Sequence, residues 1–507
     1  MSVKTWYYQV GGFQGHLREI PDERLLRSPG IQGLNLVLGI RPNGASYLLL
    51  PESRFRALRW RPPGARPDPP ERFLSLSPAH FPNRAELEKR LKTYASTKSN
   101  KGIPKDQIRD RSKANTSFTV AGNGVSEAGK IRSSFEMQRV LVLSRPMLAT
   151  LDYTQAAEFS LRMLPENLTI VSLCYNTWKA DTRTMRQREA DPKVLDIGWT
   201  TWSKPAQWNG SQIMPSETTH VVIEEERYLS NPGSKRIECE YATTIYKPRS
   251  DIAWQLSAAL SGRHPVVLLV HDEARTLATL RALKLDTTEW ASGIAGLLYD
   301  DAPGPVQTMS RSSRSRSPER RGEYTSASQA DRSRRPSGTP VYVVDVRSLY
   351  LALRQVAPAT DSVPINARGL GVKLDPPKDK PQAVTPNVIA ESDRWWSAGT
   401  ESLLLGKMWY SMARGPNIDD QRVLRWSSAQ AADATGSSVA PASSPPPTAA
   451  LPETAEASDD EVDPNDILQP VAAAPAPTSA VSKLGGTKSS LSLMDPDGWD
   501  DASDDDW

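Results

Sequence analysis

The chain has 507 residues, 38% of them hydrophobic, with 42 prolines and only two cysteines. That length admits two or three domains, and the composition leaves about two thirds of it able to fold. The two cysteines, Cys174 and Cys239, exclude a disulfide scaffold and a cysteine-based zinc cluster and fit a reducing compartment. No apolar run reaches the length of a membrane span, and the start MSVKTWYYQVGG lacks a signal-peptide pattern.

The net charge of +3 hides an asymmetry. Residues 427–507 carry 15 acidic residues against two lysines, so residues 1–426 carry a net +16. A basic body with an acidic tail points to a polyanion as partner of the body, with the tail able to compete for the same surface. The alternative reading is that both are solubility features.

In chain order, residues 1–82 read as a small module. LNLVLGI (34–40) and ASYLLL (45–50) flank the turn RPNG (41–44) as two strands, because Asn and Gly tolerate the positive φ of a tight turn. Residues 83–136 read as a basic linker: AELEKRLKTYA (85–95) has the pattern of one helix, and residues 98–117 the composition of a flexible segment. Within it, Lys98, Lys101, Lys105, Arg109 and Arg111 are candidate phosphate contacts.

Strands and helices alternate over 137–426. RVLVLS (139–144) reads as a strand and TQAAEFSLRML (154–164) as a helix. LTIVSLCY (168–175) is a near-continuous apolar run, as expected of a strand buried on both faces. KVLDIGWTTW (193–202) and HVVIEEERY (220–228) predict two more strands, and SDIAWQLSAALSG (250–262) a helix closed by Gly262. HPVVLLVH (264–271) predicts a buried strand, and DEARTLATLRALKL (272–285) a helix.

Residues 303–340 interrupt this pattern with eight arginines, many serines and three acidic residues, too polar to bury a core. A strand–helix pair follows at 341–355, and an apolar helix at 400–414. The tail, 427–507, is rich in Ala, Pro, Ser and Asp and predicts no fold. Its Trp499 and Trp507, each flanked by aspartates, have the pattern of a short docking anchor for a protein partner.

The element order predicts an α/β fold: a mixed sheet flanked by helices. The ordered segments VSLCYNTW (171–178), VLDIGWTTW (194–202), THVVIEEERYLSN (219–231), VVLLVHDEARTLATL (266–280), VYVVDVRSLYLAL (341–353) and WWSAGTESLLLGKMW (395–409) resemble the motifs of the DEDD, DnaQ-like exonuclease superfamily. The resemblance covers about half of the chain and is greatest to a fungal branch tied to mRNA export. It implies a ribonuclease H-like fold, single-stranded RNA as partner, and a nuclear or nucleocytoplasmic location; the Arg/Ser insertion resembles those of RNA-processing proteins and agrees with this.

In active members of that superfamily, four carboxylates hold two Mg²⁺ or Mn²⁺ ions, and a histidine acts as general base. Carried over residue by residue, the first pair falls on Cys174 and Asn176, the second-motif acid on Thr276, the last acid on Glu401 and the general base on Trp396. A thiol, an amide and a hydroxyl are poor ligands for hard divalent ions, so the resemblance implies a degenerate site without metal cofactor. His271 and Asp272 align with the family's second motif, and Asp345 with a structural strand end. An alternative site would be rebuilt from Asp196, Asp272 and Glu401, giving a metal-dependent 3′–5′ exonuclease with displaced metals. A third reading is a scaffold acting through the tail and the Arg/Ser insertion. Residues 1–82 carry no assignable chemistry.

Overall fold

The computed structural model describes residues 5–95 (except 12–16, 18–19, 28–31 and 58–65), 110–150 (except 111 and 123), 165–203 (except 166), 213–299 (except 262–263), 339–355, 361–374 and 395–426. Lys98, Lys101, Lys105, Arg109 and Arg111 lie outside these residues, as do the helix predicted at 154–164, the insertion up to 338, and the tail with Trp499 and Trp507. All the described residues fall into one compact unit.

The first sheet is antiparallel and four-stranded. Its elements are β1 (Tyr7–Gln9), α1 (Glu23–Leu26), β2 (Leu34–Ile40), β3 (Ser46–Pro51), α2 (Glu52–Ala57) and β4 (Ser75–Phe81), with strand order β1-β3-β2-β4. The predicted hairpin is β2–β3, paired from Ile40↔Ser46. Gly44 takes φ +90°, and a Cβ there would meet the Phe118 carbonyl oxygen at 2.3 Å. That requires glycine.

Helix α3 (Arg84–Lys92) follows, close to the predicted 85–95. Over the stretch expected as a linker, Asp110 and Asn115 are buried: Tyr47 donates to Asp110 at 3.0 Å, and Asn115 Oδ1 accepts from the Ser46 N–H at 2.8 Å. These side-chain bonds, rather than an apolar pattern, tie the segment to the sheet.

The strand predicted at 139–144 is instead part of helix α4 (Glu127–Thr150). Val140, Leu141 and Val142 are all buried, and so are Arg132, Glu136 and Arg139. A helix buried on most sides shows a continuous apolar run that mimics a buried strand. Arg139 and Glu136 pair three residues apart, a helical spacing. Glu136 also accepts from Ser77 Oγ at 2.6 Å and from the Ile418 N–H at 2.9 Å. One buried carboxylate thereby joins the first sheet to Ile418, 282 residues further along the chain.

The second sheet is mixed and seven-stranded. Its strands are β5 (Thr169–Thr177), β6 (Val194–Trp202), β7 (Pro215–Ile223), β9 (Thr244–Lys247), β10 (Val266–Val270), β11 (Ala291–Ser292) and β12 (Val341–Asp345), in the order β11-β12-β10-β5-β6-β7-β9. Only β6 runs against the others. The third predicted strand begins five residues earlier and ends at Ile223, where Glu224–Glu226 make a 3₁₀ turn. A separate two-stranded pair joins β8 (Lys235–Arg236) to β13 (Trp395–Trp396).

Helices cover both faces. Those of this half are α5 (Met185–Ala190), α6 (Arg249–Leu260), α7 (Glu273–Ala282), α8 (Ala295–Leu298), α9 (Val346–Arg354), α10 (Val363–Gly369) and α11 (Ala398–Ala413). One core packs α6 and α7 against Val171, Leu173, Ile197 and Val221. The other packs α4, α9, α10 and α11 against Ile170, Cys174, Trp202 and Leu269. The alternation of Leu173 and Cys174 between cores follows the two-residue repeat of a strand.

Candidate functional site

Helix α11 crosses the face of β5 and β6 that carries Cys174, and small residues permit the approach. A Cβ on Gly406 would lie 2.0 Å from the Trp202 ring, so the indole occupies the space a side chain would need. Ser172 Oγ accepts from Trp202 Nε1 at 2.9 Å and donates to the Ser402 carbonyl at 2.7 Å. Thr200 and Ser402 exchange a further bond at 2.7 Å. A polar seam, fully hydrogen-bonded at these groups, thus fixes the helix along the strands.

At the N-terminal end of α11 lies the candidate site. Asn176 and Asp196 are register partners on β5 and β6, so their side chains share a face. Asn176 Nδ2 donates to Glu401 Oε2 at 3.1 Å. Asp196 is fully buried; its Oδ2 accepts from His220 Nε2 at 2.8 Å and from the Ala398 N–H at 3.0 Å. His220 Nδ1 in turn meets Thr244 Oγ1 at 2.9 Å. The chain Thr244–His220–Asp196–Ala398 spans three strands and the start of α11, where a negative charge is favoured by the unpaired N–H groups of a helix. Asp196 Oδ1 is buried without a partner among the described residues.

Burial, and after it the negative charge of Asp196, pushes the Glu401 carboxyl up to about 8. At neutral pH that group is largely protonated. Burial likewise raises the Cys174 thiol well above its ordinary range, with Glu401 and Asp196 adding to the shift, so the sulfur stays protonated.

The other sequence candidates separate. Thr276 is buried on α7, where it and Thr279 meet the Tyr175 hydroxyl. Tyr175 packs with the α6–α7 core, on the face opposite Cys174. The structure therefore brings Cys174, Asn176, Asp196 and Glu401 together and leaves Thr276 across the sheet. Asp272 caps α7 through the Arg275 N–H at 2.9 Å and faces Arg347 at 3.4 Å. Asp345 caps α9 through the Ser348 N–H at 2.8 Å.

His271, at the end of β10, is held by Asn366 Nδ2 at 3.1 Å and lies 3.5 Å from Asp361. Its Nε2 accepts from the amide, which fixes the neutral ring, and burial lowers its pKa. Trp396 is buried in β13, beside Arg236.

The residues do not fit a pair of divalent ions. Asn176 turns its donor, not its carbonyl, toward Glu401, and Cys174 offers a thiol where a hard cation needs anionic oxygen. Among the described residues no three His, Cys, Asp or Glu side chains are placed to hold a metal ion.

Gly198 and Gly399 matter to the site without chemistry of their own, since they let α11 descend onto β6. A signal for Asp196 stood in the sequence: VLDIGWTTW places one acid inside an otherwise buried strand, which is rare without a dedicated partner. No family model matches the chain, and no curated protein matches it in sequence.

Proposed function

We propose that this chain is a nuclease-like protein of ribonuclease H-like fold that binds single-stranded RNA without cleaving it. The observation that carries the reading is the bond from Asn176 to a Glu401 whose carboxyl is pushed up to about 8. An amide donating to a protonated acid occupies the place where metal-dependent cleavage needs anionic oxygens. The strand order β7-β6-β5-β10-β12 with β6 alone reversed supports the fold assignment. The net +16 of residues 1–426 supports a polyanionic partner and a nuclear or nucleocytoplasmic role, and the acidic tail offers Trp499 and Trp507 to a protein partner.

One observation favours the second reading, an active exonuclease: Asp196 sets a second carboxylate beside Glu401, with one oxygen unpartnered. End-labelled single-stranded RNA incubated with the purified chain and Mg²⁺ or Mn²⁺ separates the two. The binding reading expects a retarded complex at low salt and no shortening of the strand. Trimming that stops with Glu401→Gln overturns it.

A further inference from the structure

Beside the site, three buried side-chain nitrogens lack hydrogen-bond partners among the described residues: Arg236 Nη1, Trp395 Nε1 and Trp396 Nε1. A buried N–H without an acceptor bears the full cost of its desolvation, so such groups call for a ligand or bound solvent. Two of the three belong together. Arg236 and Trp396 are register partners in β8 and β13, on the same face, with the guanidinium 5.5 Å from the indole centroid. Trp395 pairs with Lys235 on the other face.

Arg236 is anchored at one end only. Its Nη2 donates to the Arg227 carbonyl at 2.6 Å, and among the described residues no carboxylate pairs with it. The anchor leaves the guanidinium carbon 5.5 Å from the indole centroid and Nη1 unused. Trp396 is 4% exposed and leads directly into Ser397 and the first turn of α11, which carries Glu401.

We propose that Arg236 Nη1 and the Trp396 indole N–H form a seat for a phosphate group, supplied as the phosphodiester of a bound single strand. A guanidinium and an indole offer donors only, and a phosphate oxygen accepts only, so the match needs no proton movement. The assignment rests on the RNA-binding reading above and adds the residues that would grip the backbone.

The test uses the full-length chain and a fluorescein-labelled oligouridylate, followed by polarisation across a salt series. Arg236→Gln is expected to weaken binding about tenfold and to flatten the dependence on salt by about one phosphate contact. Trp396→Phe keeps the ring beneath Arg236, removes the N–H, and is expected to weaken binding about threefold to tenfold. Thermal melting checks that each variant folds, and Arg236→Gln alone decides the matter if Trp396→Phe does not. RNA bound as tightly by the folded variants as by the wild type overturns the seat and leaves the RNA-binding reading standing. If the wild type binds no RNA, that reading falls. Inorganic phosphate titrated into the same protein then decides the seat, which stands if binding is lost with Arg236→Gln and falls if phosphate does not bind.

Discussion

Gly198 on β6 and Gly399 in the first turn of α11 touch backbone to backbone: a Cβ on Gly198 would lie 2.5 Å from the Gly399 Cα and 2.4 Å from its nitrogen. Gly399 is confined on its other side as well, where a Cβ would meet the His220 Cβ at 2.8 Å and the Cys239 sulfur at 2.9 Å. This contact sets the height of Glu401 above the sheet.

Gly198→Ala should therefore destabilise the protein by about 3 kcal/mol, because the added methyl meets backbone atoms that have nowhere to go. Urea denaturation followed by circular dichroism measures it. A midpoint equal to that of the wild type would mean the helix rises freely off the strand.

Removing the carboxylate of Asp196 should cost more than removing a typical polar side chain. Asp196→Ala leaves both the His220 Nε2–H and the Ala398 N–H without an acceptor in a fully buried place. The expected loss is about 3–5 kcal/mol. Asp196→Asn keeps an acceptor oxygen and should lose less. The two variants compared in the same urea titration show whether the bond network or the bare volume matters.

The raised Glu401 carboxyl makes stability depend on pH. Its folded value of about 8 lies above the ordinary 4.5, so the folded protein binds the proton more tightly than the unfolded chain. This contribution is fully present below about 4.5 and is lost as pH rises through about 8, at a cost on the order of a few kcal/mol. Unfolding free energies measured from pH 5 to 9 should fall with pH. Glu401→Gln should flatten that fall, and a slope unchanged in the variant would place the proton elsewhere.

Asn176→Asp would put a third carboxyl beside Asp196 and Glu401. Without a cation it should destabilise the fold by about 2–4 kcal/mol at neutral pH, since like charges are forced together in a buried place. Part of that loss should return with millimolar Mn²⁺ in a thermal melt, whereas the wild type should melt alike with or without the ion.

Cys174 and Cys239 are both buried, and burial raises both thiols. Neither should react with iodoacetamide in the native protein, and both should react once it is unfolded. Mass spectrometry after a short pulse counts the labels. Rapid native labelling of Cys174 would mean that the space over β5 opens to solvent.

Periodicity alone made several elements legible. The runs at 168–175, 193–202 and 264–271 are apolar enough to declare buried strands, and the turn at Asn43–Gly44 declares the first hairpin, because such patterns are set by neighbours in the chain. The segment 139–144 defeated the same logic: a helix buried on most sides and a buried strand carry the same residues over six positions, and only the partners of Glu136 and Arg139 distinguish them. In the site, residue identity alone showed which side chains lack charge. It left undecided which of them meet. Thr276 falls across the sheet from Cys174 because strand alternation and the side on which α7 packs are settled by the whole sheet. Asp196 joins Glu401 because Gly198 and Gly399 bring two segments some two hundred residues apart into contact, and the electrostatics of a buried acid arise only from such contact.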